Sequence, residues 1–445
     1  MQCEILLRAF VTVLGLLAGA TPVGAAEAEP HETVLLRFHG GADGYFPSST
    51  LVGDAEGNLY GTSSVGGGTH CKFYAEHGCG LVFELSPPQG GKATWTETIL
   101  YRFVGGNDGA FPGTPLLRGP DGTLYGVTCA GGGAGVCESA QIGCGTVFAL
   151  SPPATAGAAW SEHILYGFTG AADGGVPTGL IAGAAPGTFV GTAETGGAAC
   201  GCGVVFSLAP PANQGAPWTQ KVLYAFAGIP RHSKIGDGGT PLGVIYDGTG
   251  NLVGATVYGG QYQGGEGGGE FGTVFRLSPP AAGATGWSET VLYRFDIAEQ
   301  NPVSSLAIDT RGEIFGTTYL MAYQVIAGTV ARIATFSEGT PSGYYPYGGI
   351  TPDSSGDLYG TTLGSGSGGD GLVFRLRRPA SQSAPWHEQV LHGFSGTPDG
   401  SAPAGPVALI GGRLFGTTLR GGNAGCRIDG GVGCGTVFSL KVPAP

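Results

Sequence analysis

Apolar side chains arrive along this chain in short bursts separated by turn residues. TLYGVT (123–128), GTVFALS (145–151) and HILYGF (163–168) are three successive bursts. Runs of this length, rich in Val, Tyr, Phe and Leu, have the size of β-strands. Pro120-Asp121-Gly122 before the first and Pro152-Pro153 after the second are strong turn signals. TPLLRG (114–119) adds a fourth strand in front. The order is a, b, c, d, with a Trp preceding d. Apart from an apolar run near the N-terminus, no stretch combines a helical period with helix caps.

The four-strand unit recurs. Its clearest marker is a box of the form Gly-x-apolar-apolar-Gly at strand b: GNLYGT (57–62), GTLYGV (122–127), GTFVGT (187–192), GNLVGA (250–255), GEIFGT (312–317), GDLYGT (356–361) and GRLFGT (412–417). Seven four-stranded units predict an all-β fold, a seven-bladed β-propeller. The first burst after residue 31 is TVLLRF (33–38), which matches strand d, and the last is GTVFSL (435–440), which matches strand c. The N-terminal strand is therefore expected to complete the last blade and close the ring over residues 32–441, with a tail at 442–445. The fifth unit is degenerate: GTVARIATFS (328–337) reads as strand c running into strand d with almost no linker and no Trp. The five Trp (Trp95, Trp160, Trp218, Trp287, Trp386) follow the repeat. They are expected to pack blades, with sugar stacking as the alternative.

Composition narrows the class. Of 445 residues, 89 are Gly and 30 are Pro, yet 42 % are hydrophobic and only 12 % charged. Many turns around a core fit this balance; a charge-solubilised disordered chain does not. A net charge of −12 argues against nucleic acid or anionic lipid as partner. At the N-terminus, Arg8, an apolar run from Ala9 to Ala20 and the small residues Val23-Gly24-Ala25 read as an export signal over 1–25, with a linker at 26–31. That run is too short to span a bilayer, which takes about 20 residues. KVPAP at the C-terminus carries no anchor or sorting signal. The expectation is a secreted or periplasmic monomer without a membrane span.

Beyond the signal, Cys residues fall mainly between strands b and c. In an exported chain this predicts disulfides Cys71–Cys79, Cys137–Cys144 and Cys426–Cys434. Cys200-Gly201-Cys202 would make a tight ring, which leaves Cys129 to pair with Cys200 or Cys202. Zinc ligation is disfavoured, since only His70 and His77 flank a Cys pair.

Propeller geometry puts the b–c and d–a loops on one face. The b–c loops are long and variable; the d–a loops carry a recurrent Asp-Gly. Binding sites concentrate on such loops over a rigid scaffold. Candidate binding residues are therefore Asp43, Asp108, Asp173, Asp237, Asp399 and Glu194. The acids read either as turn-capping side chains or as oxygen ligands for Ca²⁺. No other cofactor is indicated. G-x-S-x-G, H-E-x-x-H and Walker motifs are absent. Glycosidase chemistry needs only two carboxylates, and Glu76, Glu138, Glu194, Glu266 and Glu270 supply acids on the loop face without singling out a pair.

The composite D-G-x-L-Y-G-T-T-x-x-G-G…G-T-V-F-x-L-x-P…V-L-Y-x-F…D-G-x-x-P resembles the repeat of the Gloeo/Verruco (GloVer) family of exported bacterial proteins over nearly the whole chain after residue 31. The resemblance implies export and a propeller-like repeat, and no catalytic residues. Two classes of function follow: a non-enzymatic module binding a glycan or cell-surface partner on the loop face, or a polysaccharide-cleaving hydrolase or lyase at the channel mouth.

Overall fold

The computed structural model describes residues 32–442 except for 69–70, 72–76, 91–93, 134–136, 138–142, 156, 214, 231–232, 264–268, 282, 284, 339, 365–368, 382–383 and 429–430. The export signal and linker expected over 1–31 lie outside the described residues, as do His70, Glu76, Glu138 and Glu266. Among the described residues no helix is long and apolar enough to cross a membrane.

Seven antiparallel sheets follow one another as the blades of a β-propeller. The third blade is a regular example, with strands Gly175–Ala182, Phe189–Thr195, Val204–Ala209 and Thr219–Ala225 in that order. Strands b and c are almost wholly buried and strand d is half exposed, as expected when d forms the outer edge. Strand d is out of simple register with c in every blade, through an irregularity at one place in each pair. Such bulges sharpen local twist. The seventh blade takes Ala408–Ile410, Arg413–Thr418 and Thr436–Lys441 from the C-terminal end. Its outer strand is Glu32–Arg37, with Glu32 opposite Leu440 and Arg37 opposite Thr436. The ring is closed by hydrogen bonds between the two ends of the described chain.

The junctions between blades explain the repeat. The Phe ending each strand d packs on the aromatic ring of strand c in the next blade. The pairs are Phe38–Phe83, Phe103–Phe148, Phe168–Phe206, Phe226–Phe275, Phe295–Tyr323, Phe336–Phe374 and Phe394–Phe438, with centroids 4.9–5.5 Å apart. None of these rings is more than 3 % exposed. Each strand-c ring also lies over the second Gly of its own blade's strand-b box. A Cβ on Gly126 would stand 2.6 Å from Phe148 Cζ, and one on Gly360 2.5 Å from Phe374 Cζ. The Tyr-Gly-Thr and Val-Phe signals therefore recur together because one seats the other.

A backbone clasp ties the same junctions. At six junctions the chain enters the next blade through a residue with positive φ: Phe46, Phe111, Val176, Thr240 and Ala402 follow an Asp-Gly, Tyr345 follows Ser342-Gly343, and all six precede Pro. The N–H groups of Phe111, Val176, Thr240 and Ala402 each donate, at 2.8 Å, to the carbonyl of the residue two before strand c of the preceding blade: Cys79, Cys144, Cys202 and Asp370. The Gly that follows each acceptor must stay small. A Cβ on Gly80, Gly145, Gly203 or Gly371 would meet the incoming Pro ring at 2.5–2.6 Å.

The Trp residues lie before strand d and pack on the blades. Trp160 faces Tyr60 of the preceding blade at 6.4 Å, and Trp386 faces Phe315 at 5.9 Å. The fifth blade differs from expectation. Its strand c is Met321–Ile326 and its strand d Thr329–Thr335, so GTVARIATFS is strand d alone. Ala327 and Gly328 join the two strands, both with positive φ (47° and 82°), as a two-residue hairpin turn requires. The Gly-Thr-Val sequence resembles a strand-c start, but here it follows that turn.

Two outcomes are expected. Gly126→Ala overpacks a buried junction and should cost about 1–3 kcal/mol or more, whereas Gly283→Ala, whose Cβ meets nothing within 4 Å, should keep its steric environment and suffer only the strain of its positive φ; thermal melts of the two variants compare them. Removing residues 32–38 exposes the edge of Thr436–Lys441 and takes away Phe38, the ring that seats Phe83. That truncation should lower the melting temperature of the whole ring, and survival of the wild-type melt would refute the closure.

Candidate functional site

The described loop face is organised around the five acids. Each is half-buried and folds back on its own blade. Asp173 accepts from Tyr166 Oη and Thr169 N, both at 2.9 Å, and Asp237 accepts from Tyr224 Oη at 2.8 Å and Ala227 N at 3.0 Å. Asp108 likewise accepts from Tyr101 Oη, and from Val104 N at 2.6 Å. At Asp399 a histidine replaces the tyrosine, with His392 Nε2 3.3 Å away; Asp43 accepts from His39 N at 2.9 Å, and the His39 ring, which follows the strand-d Phe, brings Nδ1 within 3.2 Å. The donor in every case sits in or just after strand d. These carboxylates cap the exit from d and set up the Asp-Gly turn. They stand one per junction and do not converge as a Ca²⁺ shell would require. Among the described residues no three His, Cys, Asp or Glu side chains come together as a metal site. Glu194 lies within the strand Phe189–Thr195 and is 3 % exposed, rather than following the strand on the surface.

The cysteines serve the clasp. Cys71–Cys79, Cys137–Cys144 and Cys426–Cys434 are bonded, with Cα atoms 5.0, 5.0 and 5.8 Å apart. In each pair the second cysteine supplies the carbonyl that the next blade grips. Cys200 and Cys202 are bonded to each other, Cα to Cα 5.2 Å, and Cys129 is a free, buried thiol. This corrects the expected pairing of Cys129 with Cys200 or Cys202. Gly201, at φ 66°, turns the chain enough to bring its two neighbours together.

Two surface features remain. A shallow depression of about 500 Å³ lies between blades 2 and 3, lined by Cys137, Gly170, Ala171, Thr195, Gly196 and neighbouring small residues. It offers backbone groups and one hydroxyl, with no acid–base pair. The second is a group of tyrosines near blades 4, 5 and 6: Tyr258, Tyr319, Tyr344, Tyr345 and Tyr347. Sequence reasoning passed over them. Ser342-Gly343-Tyr344-Tyr345-Pro346 stands where other units have Asp-Gly-x-x-Pro, so Ser replaces the Asp and tyrosines fill both x positions, with Tyr347 beyond; that departure is the signal the sequence offers.

The Gloeobacter/Verrucomicrobia repeat model matches residues 71–324, more than half of the chain. The chain belongs to the Gloeobacter/Verrucomicrobia repeat family. No curated protein matches it. Among solved structures it is similar to the extracellular domain of a candidate one-component system, BT4673, from B. thetaiotaomicron, with TM-score 0.51 and 10 % identity over 94 % of this chain and 42 % of that one. The extracellular domain of a candidate hybrid two-component system, BT3049, from the same organism gives TM-score 0.49 and 11 % identity over 93 % and 41 %. A Trichoderma reesei protein of Carbohydrate-Active Enzymes Family AA12 gives 0.44 and 13 % over 97 % and 100 %. The chain thus spans about two fifths of the length of the first two, and identities this low speak to the fold alone.

In this Gloeobacter/Verrucomicrobia repeat an acid also recurs near the start of strand d, at Glu32, Glu97, Glu162, Glu289 and Glu388. Each has an Oε1 that is buried without a hydrogen-bond partner. Burial, then the charge of Asp43, with Arg102 opposing, pushes Glu97 up to about 8. Burial followed by the nearby aspartate pushes Glu32 (Asp399, opposed by Arg37), Glu162 (Asp108) and Glu289 (Asp237, opposed by Arg294) up to about 7. Burial also raises Glu388, against Ser342 and His387. Blade 3 has Gln220 at this position, and its amide donates to the Asp173 carbonyl at 3.0 Å. A protonated Glu imitates that Gln.

The folded ring therefore holds protons that the unfolded chain releases above about pH 4.5. These groups make stability fall as pH rises from about 4.5 to about 8. At the acid end the limit is set by Asp121, held low by hydrogen bonds from Thr123, and by Asp54, where bonds from Asn58 and Tyr60 outweigh burial; their contribution is lost only as pH drops below 3.8. Calorimetry should give a higher melting temperature at pH 5.5 than at pH 8. The triple variant Glu97→Gln, Glu162→Gln, Glu289→Gln should raise the value at pH 8 and flatten the profile; a steeper profile would contradict this account.

Proposed function

We propose that this protein is an exported binding module that holds a glycan or a cell-surface partner on its b–c/d–a loop face. One observation carries the reading: the described part of that face presents tyrosines and glycine-rich backbone, while its five recurrent aspartates are each spent on capping their own blade. A hydrolytic site needs two carboxylates, or an acid and a base, converging on one point. Recognition needs only a rigid surface with aromatic and polar groups. The closed ring supplies the rigidity. Four bonded cysteine pairs and the N-terminal signal pattern support export. The fold shared with the extracellular domain of BT4673 is compatible with a ligand-facing role outside the cell.

The test combines a glycan array with a reducing-end release assay on mixed polysaccharides. Retention of the protein on one or more glycans without release of sugar ends is expected. Release of new ends, abolished by changing an acid of the loop face such as Glu270, would replace this reading with a polysaccharide-cleaving enzyme.

A further inference from the structure

The b–c connection of blade 5 is far shorter than those of blades 2 and 7 and leaves a gap there in the loop face. In blade 7 residues 419–435 connect strands b and c, and in blade 2 residues 129–145 do so; in blade 5 the connection is 318–320 alone. Thr318 N donates to Met321 O at 2.8 Å and closes this turn tightly. On one side the gap is flanked by a hairpin of blade 4, Gln261–Gln263 paired with Gly269–Phe271, whose Tyr262 is 43 % exposed. On the other side is the chain entering blade 6.

Tyrosines line the gap. Tyr319 comes from the short turn itself. Its ring lies edge-on to Tyr345 and Tyr347, both at 5.6 Å, and Tyr344 adds a fourth ring 5.1 Å from Tyr345. Tyr347 Oη donates to Tyr319 Oη at 3.1 Å, which fixes the two rings relative to one another. Tyr258 of blade 4 is near enough to help raise the Tyr347 hydroxyl, after burial and Tyr319. Tyr345 occupies the positive-φ position of the clasp, at φ 57°. Phe46, Phe111 and Val176 at the equivalent junctions are 4, 7 and 6 % exposed, but Tyr345 is 43 % exposed. No long b–c loop of the preceding blade covers it.

We infer that these tyrosines form a stacking platform for a neutral oligosaccharide, an inference that rests on the loop face being a binding surface. Several rings at fixed angles offer apolar faces to the C–H sides of sugar rings, and their hydroxyls offer hydrogen bonds to sugar hydroxyls. The rings are already immobilised by mutual contact, so little side-chain entropy is lost on binding. The charged group acting on Tyr344 is the acid Glu338, and the chain carries −12 overall. Both disfavour an anionic polysaccharide.

Tyr345→Ala tests the platform without endangering the fold, because Ala402 occupies the same clasp position in blade 7 at φ 54°. The probes are neutral oligosaccharides of the cello-, xylo-, laminari- and manno- series on an array, followed by titration of any glycan retained. Tyr345→Ala should weaken binding about tenfold. Tyr345→Phe should retain most of the affinity, and Thr195→Val in the depression between blades 2 and 3 should leave it unchanged. Equal binding by wild type and Tyr345→Ala overturns the platform and leaves the face reading standing. Retention of only acidic glycans, of a proline-rich peptide, or of no neutral glycan at all also overturns the platform. The broader reading falls separately, on release of sugar ends.

Discussion

The structure depends on a contact repeated at every junction: the strand-c ring of one blade against the strand-d Phe of the blade before it. Each ring can reach its partner only because a glycine lies beneath it in strand b. Three sequence signals from two neighbouring units are thus coupled through one packing site. Since the pairs run through all seven junctions, the ring has no weak one by design of its core, and the seam where the termini meet uses the same pair, Phe38 with Phe83. Closure abolishes the open edge that a linear stack of sheets would present.

The clasp does for the loop face what the rings do for the core. Its acceptor carbonyl lies at the end of a glycine-rich b–c loop with little side chain to bury, and a loop of that kind has high conformational entropy. A disulfide to the acceptor residue restricts it in both folded and unfolded states. In blade 6, Asp370 supplies the carbonyl and binds Ser401 Oγ at 2.6 Å, so a side-chain hydrogen bond replaces the covalent link. The recurrent Asp of the d–a loop then holds the other half of the joint by capping strand d. Cysteines and acids that looked like candidate chemistry are largely joinery.

What was legible in the sequence was local or periodic. Strand positions, the seven-fold count, the closing role of residues 33–38 and three of the cysteine pairs all follow from patterns within one unit or from their repetition. What was not legible depended on neighbours in space. Cys200-Gly201-Cys202 reads in the sequence as a tight ring, because the positive φ that Gly201 adopts is a property of the folded loop. The Gly-Thr-Val of blade 5 reads as strand c because the true strand c, MAYQVI, has Tyr323 where the other units have Phe. Glu97 and its equivalents drew no notice as site residues, since an acid on an outer strand reads as solvated. Only the adjoining blade shows it buried beside Asp43.

The same reasoning locates where function has room to act. In a pseudo-symmetric ring, each side chain that matches the repeat is accounted for by a joint that the other blades also make. Departures are the informative positions, and they concentrate in blade 5 and the entry to blade 6. There Tyr323 still fills the core pairing with Phe295, so the ring is intact beneath. Above it the covering loop is short, and at the entry to blade 6 Ser342 replaces the recurrent Asp while tyrosines fill the two positions before Pro346. A gap that weakened the scaffold would be a defect. This one leaves the junction pairs Phe295–Tyr323 and Phe336–Phe374 in place and opens only the outward surface. The rigidity of the other six blades is what allows one sector to expose aromatic side chains in a fixed arrangement.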